Sequence, residues 1–169
     1  MEVQPQGTTG MQRLAELVGE AQIAMLTTAE ANGLLRSRPL VTLQLDSDGR
    51  LWFFVSLTSP KVDEISRHRQ VNLSYSDPDK QDYVSISGAA QIVRDREKMR
   101  TLWTPWVEPY FPGGLEDPNL ALLCVQVDQA EYWNAPESNV QRLYGFAKAI
   151  ATGDTSALGE HERVTGPAH

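Results

Sequence analysis

Two arginines one residue apart, Arg36 and Arg38, interrupt the apolar run "LLRSRPLVTL" from Leu34 to Leu43, and Pro39 follows directly behind them. In a strand, side chains two positions apart project from one face, about 7 Å from each other. The two guanidiniums therefore form a pair, each with a planar fork of donors that matches phosphate or carboxylate oxygens. Pro39 holds Arg38 extended and removes one ladder donor, which puts this stretch at a sheet edge or a bulge. Leu34, Leu40, Thr42 and Gln44 share the arginine face. The opposite face, with Leu35, Ser37, Pro39, Val41, Leu43 and Leu45, reads as the better core face.

A second fragment, "TSPK" (Thr58 to Lys61), brings two hydroxyls, a helix start and an ammonium together. Thr58 or Ser59 can cap the helix and Pro60 suits its first position. The free N–H groups at a helix start favour an anion and disfavour a cation. A phosphate lying between would account for Lys61 there. The alternative is that Arg36 and Arg38 pair with surface carboxylates while Lys61 is simply solvated.

Elements that would position these groups follow from periodicity and turn residues. Met11, Leu14, Leu17 and Val18 recur at helical spacing within Met11 to Glu20. "QIAMLTTA" (Gln22 to Ala29) reads as a strand, and Asn32-Gly33 turns it into a long strand from Leu34 to Leu45. "DSDG" (Asp46 to Gly49) precedes another strand, Leu51 to Ser56. A helix from Pro60 to about His68 follows, with Asp63 and Glu64 favouring its early turns. "VNLSYS" and "YVSISGAAQIV" alternate as strands, and Gly88 marks a bulge or a close backbone approach. Asp95 to about Trp106 reads as a helix with Met99, Leu102, Trp103 and Trp106 near one face. "PYFPGGLEDP" is a loop, "LALLCVQVDQAEYW" a long strand and "VQRLYGFAKAIAT" a last helix. Short turns between about six strands, with helices inserted, indicate a small antiparallel barrel decorated by helices.

The totals narrow the function. A chain of 169 residues reads as one domain, able to bury roughly 70% of its unfolded surface without staples. With 15 Lys+Arg against 22 Asp+Glu, the net charge of −7 excludes a general nucleic-acid or anionic-membrane binder, but not a local anion site. Cys124 is alone, in an apolar strand where an inert buried thiol is expected. His68, His161 and His169 lack metal-ligand spacing and read as surface histidines. Neither a G-x-G-x-x-G run, a P-loop nor a G-x-S-x-G elbow occurs. No leader and no stretch of the ~20 apolar residues needed to span a bilayer is evident, so a cytoplasmic protein is expected.

Six stretches in order, "GLLRSRPLVTLQLDSDGRLWFFVSLTSPKVDEI", "VNLSYSD", "YVSISGAAQIVRDREK", "LWTPWVEPYFPGG", "DPNLALLCVQVDQAEYW" and "KAIATG", resemble the general-stress-protein branch of the pyridoxamine 5′-phosphate oxidase-like family. The resemblance runs from about Leu14 to Gly153, and "LGEHERV" (Leu158 to Val164) is similar to that branch's ending. It implies a six-stranded antiparallel FMN-binding split barrel with peripheral helices over residues 11–153. Residues 1–10 would be a flexible lead and 154–169 a tail ordered in part at most.

The resemblance further implies a homodimer with FMN, or alternatively FAD, in a cleft made by both subunits. Arg38 and Lys61 match the family's phosphate-holding positions, Ser59 and Thr58 the hydroxyl partners, and Arg36 a second phosphate contact that could exchange roles with Arg38. The strand from Arg38 through Pro39 and Leu40 to Leu43, and the stretch Phe54-Val55, would run along the flavin. Pro60 and Tyr83 depart from the vitamin B6 oxidases, which carry an arginine and a flavin-contacting glutamine there. The oxidases' C-terminal substrate-binding segment also lacks a clear match. The implied activity is an FMN-dependent oxidoreductase with a stress-related role and NAD(P)H as a candidate donor, not pyridoxamine phosphate oxidation. The alternative is a non-catalytic flavin-binding or redox-sensing module. No residue stands out as acid or base. Trp103, Trp106, Tyr110, Phe111 and Trp133 could wall a flavin ring, but such aromatics more often serve core or interface.

Overall fold

The structure is a computed structural model that describes residues 7–134, 148–153 and 160–167. Helix α1 (Gly7–Ala21) leads into β1 (Ile23–Ala29), β2 (Leu35–Val41), β3 (Gln44–Leu45) and β4 (Arg50–Ser56). Helix α2 (Pro60–Arg67) is followed by β5 (Gln70–Asp77) and β6 (Asp82–Val93). Helix α3 (Arg96–Leu102) and two 3₁₀ turns (Glu108–Tyr110 and Gly114–Glu116) precede β7 (Leu120–Asn134) and β8 (Glu160–Thr165).

All pairings are antiparallel, in the order β2-β1-β5-β6-β7-β4-β3, with β8 added beside β7. β2 and β3 stand at opposite ends of that order although only Thr42 and Leu43 separate them in sequence. The sheet must therefore curl until its ends meet, which makes the barrel. The expected continuous strand from Leu34 to Leu45 is broken at this corner, because the chain changes partners there. Thr42 N–H donates to Gln22 O beside β1 (2.8 Å) and Leu43 N–H to Trp52 O of β4 (2.9 Å). Among the described residues eight strands stand where six are expected; the added ones are the two-residue β3 and β8, the latter within the segment that composition marks as a tail.

Alternation decides what is buried. Ala24 and Leu26 of β1, Val71, Leu73 and Tyr75 of β5, Val84 and Ile86 of β6 and Leu123, Val125 and Val127 of β7 point inward, joined by Leu14, Leu17 and Val18 of α1. On the other face, Trp52 and Phe54 of β4 and Leu122 and Cys124 of β7 form a second cluster under Met99 and Leu102 of α3. Asp95 caps α3 by accepting from the N–H groups of Glu97 and Lys98, both 3.0 Å. The helix stops at Leu102, short of the expected Trp106, which is 83% exposed rather than on the buried face. The Thr104-Pro105 step explains the stop, since a residue before proline avoids the helical region.

Gly88 fulfils both parts of its expectation. The β6–β7 register shifts between Ser87 and Gly88, and a Cβ at Gly88 would lie 2.2 Å from Gln126 O. Of the expected final helix, residues 148–152 are helical, while the stretch before them lies outside the described residues.

Candidate functional site

β2 ends the sheet, so its outer edge has no strand along it among the described residues, as the missing N–H of Pro39 favours. Its register sets Arg36 opposite Thr28 and Arg38 opposite Leu26. Paired residues share a face, and on β1 this is the face of buried Ala24, Leu26 and Thr28. The arginines therefore point inward. The expected core face is the outer one: Leu35 is 74% exposed, and Ser37 and Pro39 are exposed with it. Pattern fails here because what lies over the inward side of β2 is not hydrocarbon but a carboxylate of α2.

That carboxylate is Glu64, 8% exposed. Its Oε2 accepts from Arg38 Nη2 at 2.5 Å and from Thr28 Oγ1 at 2.5 Å. Arg38 Nη1 in turn donates to Thr28 Oγ1, closing a three-residue ring. Oε1 lies 3.6 Å from Arg36 Nη1, and Arg36 Nε is 3.8 Å from Glu30 at the rim. Burial alone would raise the Glu64 pKa. The hydrogen bonds from Thr28 and Arg38, with the charges of both arginines, outweigh it and hold the carboxyl below its usual range. Of the two alternatives for the arginines, carboxylate pairing is thus present: both meet the buried Glu64, and Arg36 also meets Glu30 at the rim.

Across the opening, Ser59 is the N-cap of α2 with Pro60 at the first turn, yet no side chain caps the helix. Ser59 Oγ instead accepts from Lys61 Nζ at 2.8 Å, and the hydroxyls of Ser56 and Thr58 are 2.9 Å apart. Burial and the Arg38 guanidinium push the Lys61 ammonium pKa down, against the pull of Glu64. Lys61 is thus a half-buried cation that feels both the Arg38 guanidinium and the Glu64 carboxylate.

Between these two groups the barrel wall has a gap in its hydrogen-bond ladder: β2 and β4 lie near each other but do not pair among the described residues. β4 pairs with β3 only at Leu51 and Trp52, so its edge from Phe53 to Ser56 faces the β2 side without a strand partner among the described residues. The Phe54 and Val55 side chains do not line this gap. Phe54 packs in the outer cluster, edge-on to Trp103 (5.4 Å) and tilted against Phe111 (5.9 Å), and Val55 lies in the barrel core. Only their backbone can meet a ligand. Leu40 packs against the core, and Pro39 faces outward. Trp106 and Tyr110 are exposed, and Trp133 is partly so.

Thr28 and Glu64 were missed by sequence reasoning. Glu64 was legible in part: three residues beyond Lys61 and next to Ile65, it falls on the inward side of a short helix, where a carboxylate implies a cationic partner. Thr28 carries no such signal. Elsewhere, Cys124 is buried, which pushes its thiol pKa up, and His68 is exposed. No cluster of three metal-ligating residues occurs among the described residues, and no described helix is long and apolar enough to cross a membrane.

Residues 9–157 match the family model described as "Pyridoxamine 5'-phosphate oxidase like". A protein from Neurospora crassa, bli-3, is 25% identical over 162 residues, 90% of this chain and 78% of that protein. The solved general stress FMN/FAD binding protein of Xanthomonas citri is 29% identical with a TM-score of 0.67, covering 78% of this chain and 93% of that one. The putative general stress protein 26 of Jannaschia has the same fold, at 23% identity and a TM-score of 0.74 over 93% of this chain and 98% of that one. The family model spans most of the chain, and this chain belongs to the pyridoxamine 5′-phosphate oxidase-like family.

Proposed function

We propose that this chain is a flavoprotein that holds FMN in the gap between β2 and β4, with its phosphate at Arg36, Arg38, Lys61, Ser59 and Thr58. The observation that carries this reading is the convergence of two arginines on one buried carboxylate, with Lys61 held on Ser59 near Arg38 at a helix start that no side chain caps. Such an excess of positive charge in a partly buried place suits a phosphate. The name of the Xanthomonas citri relative, an FMN/FAD binding protein, points the same way. When bound, the flavin supplies redox chemistry. The protein's own residues anchor the phosphate, and the free β4 edge offers backbone groups to orient the ring.

In this reading two copies form the working unit. Ile23, Met25 and Leu35 stand on the outer face of β1 and β2, 54%, 39% and 74% exposed. An apolar strip of that kind suits coverage by a second subunit. The activity is that of an FMN-dependent oxidoreductase with NAD(P)H as donor, in the cytoplasm and in a stress-related role.

The absorbance spectrum of the purified protein and the mass of any released cofactor test the binding. A colourless protein that takes up neither FMN nor FAD overturns it. Bleaching of the bound flavin by NADH or NADPH tests turnover. Flavin that neither nucleotide reduces would leave the non-catalytic module in place of the oxidoreductase.

A further inference from the structure

Glu64 is unusual as a feature of an anion site: a carboxylate set among the groups meant to hold a phosphate. Its position is not a surface accident. It is 8% exposed, takes two hydrogen bonds on Oε2 and faces a second arginine with Oε1. No bond from Arg38 Nε to a described residue accompanies the two from Nη1 and Nη2, so part of that guanidinium stays available for a ligand.

Charge decides what this arrangement does. Arg36, Arg38 and Lys61 bring three positive charges, and Glu64 cancels one of them. Glu30 meets Arg36 only from the rim at 3.8 Å and is more open to solvent, which screens it. Two uncompensated charges remain, which equals the charge of a phosphomonoester above its second ionisation near pH 6. Each phosphate of a pyrophosphate diester carries only one. Without a carboxylate, three cations would repel one another in the empty protein, and the folded state would suffer for it.

We infer that Glu64 is a specificity-determining counter-ion. It fixes Arg38 by one side of its fork, restrains Arg36, and sets the charge of the cradle to fit a terminal phosphate dianion. It stabilises the empty protein and weakens the hold on the ligand by the same interaction. This inference rests on the flavin phosphate reading above.

The test is a titration of the full-length apoprotein with FMN and with riboflavin, followed by flavin fluorescence. The ratio of the two affinities isolates the phosphate. E64Q should raise the FMN-to-riboflavin ratio about threefold or more at low salt, because one opposing charge is gone. It should also lower the melting temperature of the apoprotein while enlarging the rise caused by FMN. R36Q should lower the ratio, and the double variant R36Q/E64Q, which again has two uncompensated charges, should return it toward wild type. E64D keeps the charge and should stay within about twofold of the wild-type ratio.

Should E64Q fail to fold, R36Q against R36Q/E64Q decides the matter, since the double variant has one cation fewer to repel. A ratio that falls in E64Q, or a double variant no better than R36Q, would overturn the counter-ion role and leave Glu64 a structural clamp. A wild-type protein that binds riboflavin as tightly as FMN would instead overturn the parent reading.

Discussion

The inward face of this sheet is built in two different ways along its width. Over β5, β6 and β7 it is hydrocarbon, with Leu73, Ile86, Leu123 and Val125 fully buried. At the β1–β2 end the same face passes from Ala24 and Leu26 to Thr28, Arg38 and the Glu64 carboxylate of α2. Apolar burial needs no particular partner and contributes about 25 cal/mol per Å². A buried ion pair loses solvation, and a matched set of apolar side chains is often as stable or more so. A sequence selected only for stability would carry hydrocarbon at both ends. The polar end therefore marks where the fold concentrates charge, next to the stretch of β4, Phe53 to Ser56, whose second edge has no strand among the described residues.

The largest effect expected is at the apolar end. Phe53 is fully buried in the barrel core, and Phe53→Ala should cost about 3–5 kcal/mol in denaturant unfolding. Ligand affinity in whatever protein still folds should change less than stability. At the polar end, Arg38→Ala removes the partner of a buried carboxylate and should cost about 3 kcal/mol, with Arg36 able to make up part of the loss. FMN affinity should also fall at least about tenfold, since a charged hydrogen bond contributes about 1.5–3 kcal/mol. The contrast breaks if Thr28→Val, Arg38→Met and Glu64→Leu together leave the protein far less stable than wild type. Hydrocarbon in all three places should recover stability and lose the preference for FMN over riboflavin.

Legibility in the sequence followed the same division. Where side chains are apolar and alternate, as in "VNLSYS" and "LALLCVQV", periodicity gave both the strand and its inward face. Gly88 announced its bulge because nothing larger fits beside Gln126 O. On β2 the same reasoning chose the wrong face, since Leu35 and Pro39 look like core but stand outside. An end strand has one face toward α2 and the other toward whatever covers the outside, and hydropathy cannot rank the two. The corner at Thr42 and Leu43 was invisible for a related reason: both halves are extended, and only the change of hydrogen-bond partner separates them. The pairing of Arg36 with Arg38 needed only a period of two. Their meeting with Glu64, 26 residues beyond Arg38, is tertiary and left no local trace.

A middle-sized effect tests how the polar end is held. Glu64 has a folded pKa below its ordinary value, so its contribution to stability is present above about pH 4.3 and is lost as pH falls through the folded value. Thr28→Val deletes a hydrogen bond to that charge and should cost about 2 kcal/mol at neutral pH. It should also bring the carboxyl nearer its ordinary pKa, so that acid destabilisation begins at a higher pH than in wild type. Melting curves between pH 7 and pH 3 would show this. Identical acid limbs in the two proteins would mean that Thr28 does not tune Glu64.

The smallest effect comes from the neighbouring residue. Asp63 is bonded to Arg67 one turn along α2 at 2.9 Å, but both partners are more than half exposed. Water screens that pair, and an exposed pair four residues apart contributes about 0.3–0.5 kcal/mol. Asp63→Asn should therefore shift the midpoint of unfolding only slightly, and the shift should vanish in high salt. The FMN-to-riboflavin ratio should not move, because Asp63 is exposed and pairs with Arg67, not with the arginines that Glu64 holds. Two carboxylates adjacent in sequence then differ because one faces solvent and the other closes the end of the barrel. A loss of FMN preference in Asp63→Asn as large as that in Arg38→Ala would show that the local charge of α2, and not the buried ring of Thr28, Arg38 and Glu64, governs the site.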